Sequence, residues 1–202
     1  MKLFYSRGAC SLAAHIVLHE IGGKFDVEHV DLKAKQTASG ADYTKINPKG
    51  YVPALQLDNG EVLTENVAIL MFLSELNPRA GLAPAGGAES KYRLLEWLGF
   101  ISSEIHKTYS PLFAATTPDA YKAILHEKLK LRIGYVEAHL ANRQYLFGDQ
   151  FSAADAYLFT VLNWSPGRNV DLSAFPNVQA FQQRIAQRPG VQAAMRTEGL
   201  LK

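Results

Sequence analysis

The chain holds a single cysteine, Cys10, and that thiol is its strongest candidate for nucleophilic chemistry. Residues 2–5 read as a short buried strand, Ser6-Arg7-Gly8 breaks it, and a helical pattern runs from Ala9 or Cys10 to Glu20. A thiol at a helix start sits among free amides and the positive end of the dipole, which lowers its pKa toward the reactive thiolate. The opposing reading is a small buried apolar residue, as most free cysteines are. Ala13 stands where a second cysteine of a dithiol pair would be, so a dithiol mechanism is excluded.

Two further stretches suit a peptide-like ligand. In Asn47-Pro48-Lys49-Gly50-Tyr51-Val52-Pro53, two prolines fix an irregular segment before a strand. A cis Val52-Pro53 bond there opens the Val52 backbone to an extended ligand by strand addition; the alternative is a plain turn. In Thr64-Glu65-Asn66, helix-start amides suit a carboxylate and Glu65 suits an ammonium group. The alternative is an ordinary helix cap at Thr64 with an acidic first turn. His15 and His19 have the i, i+4 spacing that metals use, but no third ligand is near, and a solvated helix face is the preferred reading. Tyr92, Glu96, Gly99, Ser103, His106 and Ser110 form a polar face on a later helix, opposite a leucine stripe. Dinucleotide, Walker, nucleophile-elbow and C-x-x-C motifs are all missing.

The elements that must position these groups fall in two classes. The first strand and helix lead to a second strand at 25–32, whose alternation slips phase, and then a polar stretch to Asn47. Ala54–Leu57, Asn59-Gly60 and Glu61–Leu63 make a hairpin, and a helix capped by Thr64 runs to about Leu76. Asn77 to Gly87 is rich in Pro, Gly and Ala and reads as a linker. Everything beyond is helical. Leu94, Leu98, Ile101 and Ile105 form one stripe on a helix from about Lys91 to Ser110, and Leu125, Leu129, Ile133, Val136 and Leu140 form another. Ser152-Ala153-Ala154-Asp155 has the form of a capping box.

Composition agrees with a folded α/β and all-α chain. With 202 residues it can bury about 70% of its surface. A hydrophobic share of 48% with 20% charged residues excludes disorder as the dominant state. A net charge of +2, evenly spread, gives no argument for nucleic acid. Apolar runs such as Val67–Leu73 fall far short of the ~20 residues of a membrane span, and the N-terminal stretch does not read as a signal peptide. The lone cysteine suits a reducing compartment, so cytoplasm is the expected location.

Six segments, in this order and spacing, resemble the bacterial beta-class glutathione transferases over the whole chain. They are Gly8–Leu12, Asn47–Pro53, Leu63–Ile69, Glu104–Lys107, Ala154–Phe159 and Glu198–Leu200. The resemblance implies a thioredoxin-like domain (β-α-β-α-β-β-α) over 1–80, a linker over 81–87 and an all-helical bundle over 88–202 with a hydrophobic substrate site. It implies a homodimer with glutathione as co-substrate and no metal. Cys10 would face the glutathione sulfur, able to form a mixed disulfide, with His106 as the second catalytic residue. Lys35 would take the glycine carboxylate, Val52 the cysteinyl backbone, Glu65 and Asn66 the γ-glutamyl end, and Ser103, Glu104 and His106 the remaining contacts. Ser103 and Glu104 are expected to serve the other subunit's ligand. A small hydrophobic electrophile would meet His106, Lys107 and Tyr109. Two departures stand out: Gly99 where the family usually has Asn, and Asn66 where Gly or Ser is frequent. Ser152 and Asp155 look like the family's folding signature. The activity implied is glutathione transfer to electrophiles, thiol-disulfide exchange through Cys10, or both, in detoxification. The competing readings are a non-catalytic ligand-binding protein and a monothiol reductase.

Overall fold

The computed structural model describes residues 1–201. Its first half is one mixed sheet built around β1, which has a parallel partner on one edge and an antiparallel partner on the other. Strand β1 (Lys2–Tyr5) pairs in parallel with β2 (Asp26–Asp31), from Lys2 opposite Asp26 to Tyr5 opposite His29. Helix α1 (Leu12–Ile21) makes the crossover that a parallel pair requires. On its other edge β1 runs antiparallel to β4 (Ala54–Gln56), which turns through Asn59-Gly60 into β5 (Val62–Thr64). A two-residue strand β3 (Gln36–Thr37) closes the far edge, giving the order β3-β2-β1-β4-β5. The helix expected between the second and third strands is a single 3-10 turn at Tyr43–Lys45. Helix α2 (Asn66–Leu76) completes this half.

The second half is helical. Helix α3 (Gly87–Phe100) continues into a π-helical segment at Ile101–His106, a short α4 (Lys107–Tyr109) and a 3-10 turn at Ser110–Phe113. Helices α5 (Asp119–Leu140), α6 (Ala153–Leu162), α7 (Pro176–Ala186) and α8 (Pro189–Thr197) follow. Both leucine stripes are inside: Leu94, Leu98, Ile101 and Ile105 are fully buried, as are Leu129 and Ile133. Helix α6 is buried along all ten residues and forms the centre of this layer. Its start is the capping box expected from sequence. The Asp155 carboxylate accepts the Ser152 N–H at 2.8 Å and, with its other oxygen, the Leu146 N–H at 2.8 Å. Among the described residues no helix is long and apolar enough to cross a membrane.

Helix α1 corrects one expectation. His15 does not lie on a solvated face: it is fully buried. The helix packs on the sheet and α2 and also against α6 and α8, so that only His19 and Glu20 near its end keep partial exposure. His15 Nδ1 sits 2.9 Å from Glu198 Oε1, and the His15 and His19 rings stack at 5.2 Å. Glu198 is itself buried, and its other oxygen accepts the Gly8 N–H at 2.8 Å. Trp164 Nε1 donates to the Gly8 carbonyl at 2.9 Å. The loop that carries Cys10 is thereby fastened to the helical layer.

Candidate active site

A cavity of about 270 Å³ opens where the ends of the sheet meet the helical layer. Cys10, Val52, Glu65, Asn66, His106 and Lys107 line it, joined by Ser102 and Tyr157. Larger hollows lie between α3 and α5 (about 650 Å³) and beside His15 and His19 (about 870 Å³), but neither contains the thiol. Among the described residues no group of three His, Cys, Asp or Glu side chains is placed to hold a metal.

Cys10 lies two residues before α1, in a run of tight turns. Those turns already use helix-start amides: Leu12 N–H goes to the Ala9 carbonyl and Ala13 N–H to the Cys10 carbonyl. The thiol donates to the Val52 carbonyl at 3.2 Å. Burial pushes it up to about 12, and the Cys10 and Ser11 amides and the Lys107 charge only hold this back. The expected lowering is therefore overturned, because desolvation outweighs the local dipoles.

Opposite the thiol, α2 begins at Asn66, not at Thr64. Thr64 ends β5, and Glu65 takes the cap position at φ 71° without capping through its side chain. The Glu65 carboxylate, at the rim of the cavity, accepts from Lys49 Nζ at 2.5 Å and Tyr51 Oη at 2.6 Å. Those two donors hold it below the usual carboxylate range. Asn66 Nδ2 donates to the Cys10 carbonyl at 2.8 Å, tying the thiol loop to α2. The Val52-Pro53 bond is cis, as expected. Lys35 stands outside the cavity wall, donating from Nζ to the Gly50 carbonyl at 2.6 Å.

The helical layer supplies the roof, and the π segment sets which residues do so. With i→i+5 closure, residues four to five apart share a face, not three apart. Ser102 and His106 therefore face the cavity together, while Ser103 is exposed outside it. Glu104 turns to α5, where Arg132 Nε donates to it at 2.8 Å and Lys128 lies at 3.5 Å. Tyr109 does not reach the cavity: it is fully buried and bonded to Ser165 Oγ at 2.6 Å. Tyr109 stands four residues after buried Ile105, on the same inner face of the helix. His106 is buried enough to bring its pKa down to about 4, with the Lys107 charge adding to the effect. It is therefore neutral at pH 7. Its Nδ1 is 2.6 Å from the Tyr157 hydroxyl, and its ring meets Trp164 at 5.0 Å. Sequence reasoning missed Tyr157, Ser102 and Trp164 as site residues. Tyr157 stands within Ala154–Phe159, one of the six quoted segments, but nothing local marks it as facing a cleft.

Comparisons with known proteins agree with this geometry. Residues 8–76 match the family described as glutathione S-transferase, N-terminal domain, and residues 100–189 the one described as glutathione S-transferase, C-terminal domain. The chain is 45% identical over 200 residues to glutathione S-transferase GstA of Escherichia coli O157:H7, covering 99% of this chain and all of that one. A sphingomonad glutathione S-transferase solved in complex with glutathione is 48% identical, with TM-score 0.95 over the full length of both chains. The bacterial beta-class glutathione S-transferase of Sphingomonas chungbukensis is 46% identical, again with TM-score 0.95 over both full chains.

Proposed function

The chain belongs to the glutathione S-transferase family, and from that premise we propose that it seats glutathione in the Cys10 cleft and passes its thiolate to a small hydrophobic electrophile. One arrangement carries the reading: around a single thiol, the cavity gathers a carboxylate at a helix start, an irregular backbone segment and a neutral imidazole. Glutathione has an amino-acid end, a thiol and a second carboxylate. Glu65 suits the ammonium, and the first amides of α2, with Asn66, suit the α-carboxylate. The Val52 backbone suits the cysteinyl peptide by strand-like pairing. Lys35, held beside Gly50, suits the glycine carboxylate. Glutathione in the sphingomonad relative's complex supports this co-substrate.

The ligand thiol then lies near Cys10 and His106. In conjugation the glutathione thiolate attacks the electrophilic carbon, a C–S bond forms, and a leaving group such as chloride departs with its electron pair. The thiol proton goes to solvent. Cys10, pushed up by burial, stays protonated and offers its S–H to the thiolate. In thiol-disulfide exchange the Cys10 thiol first gives its proton to solvent; the thiolate attacks a glutathione disulfide, forming a mixed disulfide and releasing one thiolate, and a second glutathione thiolate then frees Cys10. His106 and Lys107 face the space left for the electrophile.

The exposed apolar side chains Tyr92, Leu95, Leu131 and Tyr135 support a homodimer through α3 and α5, with Ser103 and Glu104 completing the partner's site. The setting proposed is detoxification in the cytoplasm. Steady-state assays with chlorodinitrobenzene and with a glutathione mixed disulfide test the activity. Turnover in neither assay, with glutathione still bound, would leave a binding protein. Intact mass after oxidised glutathione should show one added glutathione per chain, absent in Cys10→Ala.

A further inference from the structure

Tyr157 projects from α6, the most enclosed helix of the protein, and is 1% exposed at the wall of the Cys10 cleft. Its hydroxyl lies 2.6 Å from His106 Nδ1, so His106 Nε2 is the ring nitrogen left for the cavity. In a neutral imidazole one nitrogen carries the proton and the other accepts, and the bond made by one decides the role of the other. Which nitrogen holds the proton here depends on where the Tyr157 proton goes. Burial keeps the phenol protonated, with its pKa raised above the ordinary value. The nearby Ser102 and Asn66 side chains pull against that rise. The Asn66 amide has its NH₂ fixed on the Cys10 carbonyl, and its buried Oδ1 takes no hydrogen bond. Among the described residues the hydrogen bond that the phenol makes is the one to His106 Nδ1, which receives its proton.

We infer that Tyr157 is a positioning residue that locks His106 as its Nε2–H tautomer, so that His106 presents a hydrogen-bond donor to the cavity and not a base. This rests on the transferase reading above. It assigns His106 a specific part in it: Nε2–H stabilises the glutathione thiolate and takes no proton from the thiol. The capping box at Ser152 and Asp155 fixes the helix that carries Tyr157, which makes the phenol a stationary reference for the imidazole.

The tautomer is read directly in the resting protein by long-range ¹⁵N–¹H correlation on ¹⁵N-histidine-labelled chain, with His106 assigned from the loss of its signals in His106→Asn. The expected wild-type pattern is a single Nε2–H form at pH 7; a predominant Nδ1–H form overturns the inference. Tyr157→Phe keeps the ring and removes only the hydroxyl. It should move the His106 signals toward a tautomer mixture. It should also lower kcat with chlorodinitrobenzene about five- to thirty-fold, the loss of one buried hydrogen bond. KM for glutathione should stay within about two-fold. In a His106→Asn background the same substitution should cost no further activity. An equal loss in both backgrounds, or unchanged signals in Tyr157→Phe, overturns the inference. If Tyr157→Phe does not fold, the wild-type spectrum alone decides. If the protein has no transferase activity, the transferase reading fails while the tautomer measurement still stands or falls by itself.

Discussion

Alkylation of Cys10 provides a quantitative check on how this cleft treats a thiol. Burial pushes the Cys10 thiol up to about 12, against about 8.5 for a free cysteine. At pH 8 a group at about 12 is thiolate in about one molecule in 10,000, and a free cysteine in about one in four, a deficit of about 2,000-fold. A more basic thiolate is a better nucleophile: with a Brønsted slope of about 0.4–0.5, the difference returns a factor of about 25 to 55. A thiolate whose basicity comes from desolvation keeps only part of that gain. Iodoacetamide should therefore react with Cys10 between about 40- and 2,000-fold more slowly than with a cysteine peptide at pH 8. The logarithm of the rate should climb with unit slope to pH 10 without levelling. A plateau setting in between pH 6 and 9 would refute the desolvation argument and restore the lowered thiol that the helix-start position suggests. Lys107→Met should slow the reaction further, because that ammonium is one of the charges favouring the thiolate.

Glu65→Gln should raise KM for glutathione about 10- to 100-fold with little change in kcat, because it removes one charge-assisted contact to the ligand's ammonium. Gly99→Ala should stabilise the protein by about 0.5–1 kcal/mol in urea unfolding, since the site is helical and an added Cβ meets nothing within 4 Å. His106, held near 4 in the fold, protonates first in the unfolded chain as pH falls through about 6.5. Its contribution to stability is thus full above pH 6.5 and lost toward pH 4, up to about 3 kcal/mol, and urea titrations of wild type and His106→Asn at pH 5 and 7 should differ in that direction.

Much of the fold is legible in the chain because its signals are local. The short apolar run at residues 2–5, the Asn59-Gly60 turn and the Ser152–Asp155 cap each specify their own element within a few residues. The leucine stripes are likewise confirmed, as period alone identifies an inner face. What escapes are features decided by distant neighbours. Nothing near His15 and His19 says that α6 and α8 will cover the second side of their helix. The π segment at 101–106 leaves the apolar spacing of Ile101 and Ile105 intact while changing which polar residues share the cleft, so Ser102 replaces Ser103. The thiol of Cys10 was read from the dipole of its own helix, but its surroundings come from Val52, Asn66 and the helical roof. Tyr157 reaches His106 across 51 positions of sequence.

Gly8 invites a different view of the molecule. Both polar groups of this residue are spoken for by the helical layer, its N–H by Glu198 and its carbonyl by Trp164. A loop two residues from the thiol is thus a shared part of both halves. Fluctuations that open the Cys10 loop must first break contacts made by α6's outgoing segment and by the residues following α8. The Gly8 amide should accordingly exchange with solvent as slowly as amides of the central helix, in the same cooperative unit and not with neighbouring surface loops. Pieces of the chain distant from the reaction thereby govern how long the reactive loop stays formed.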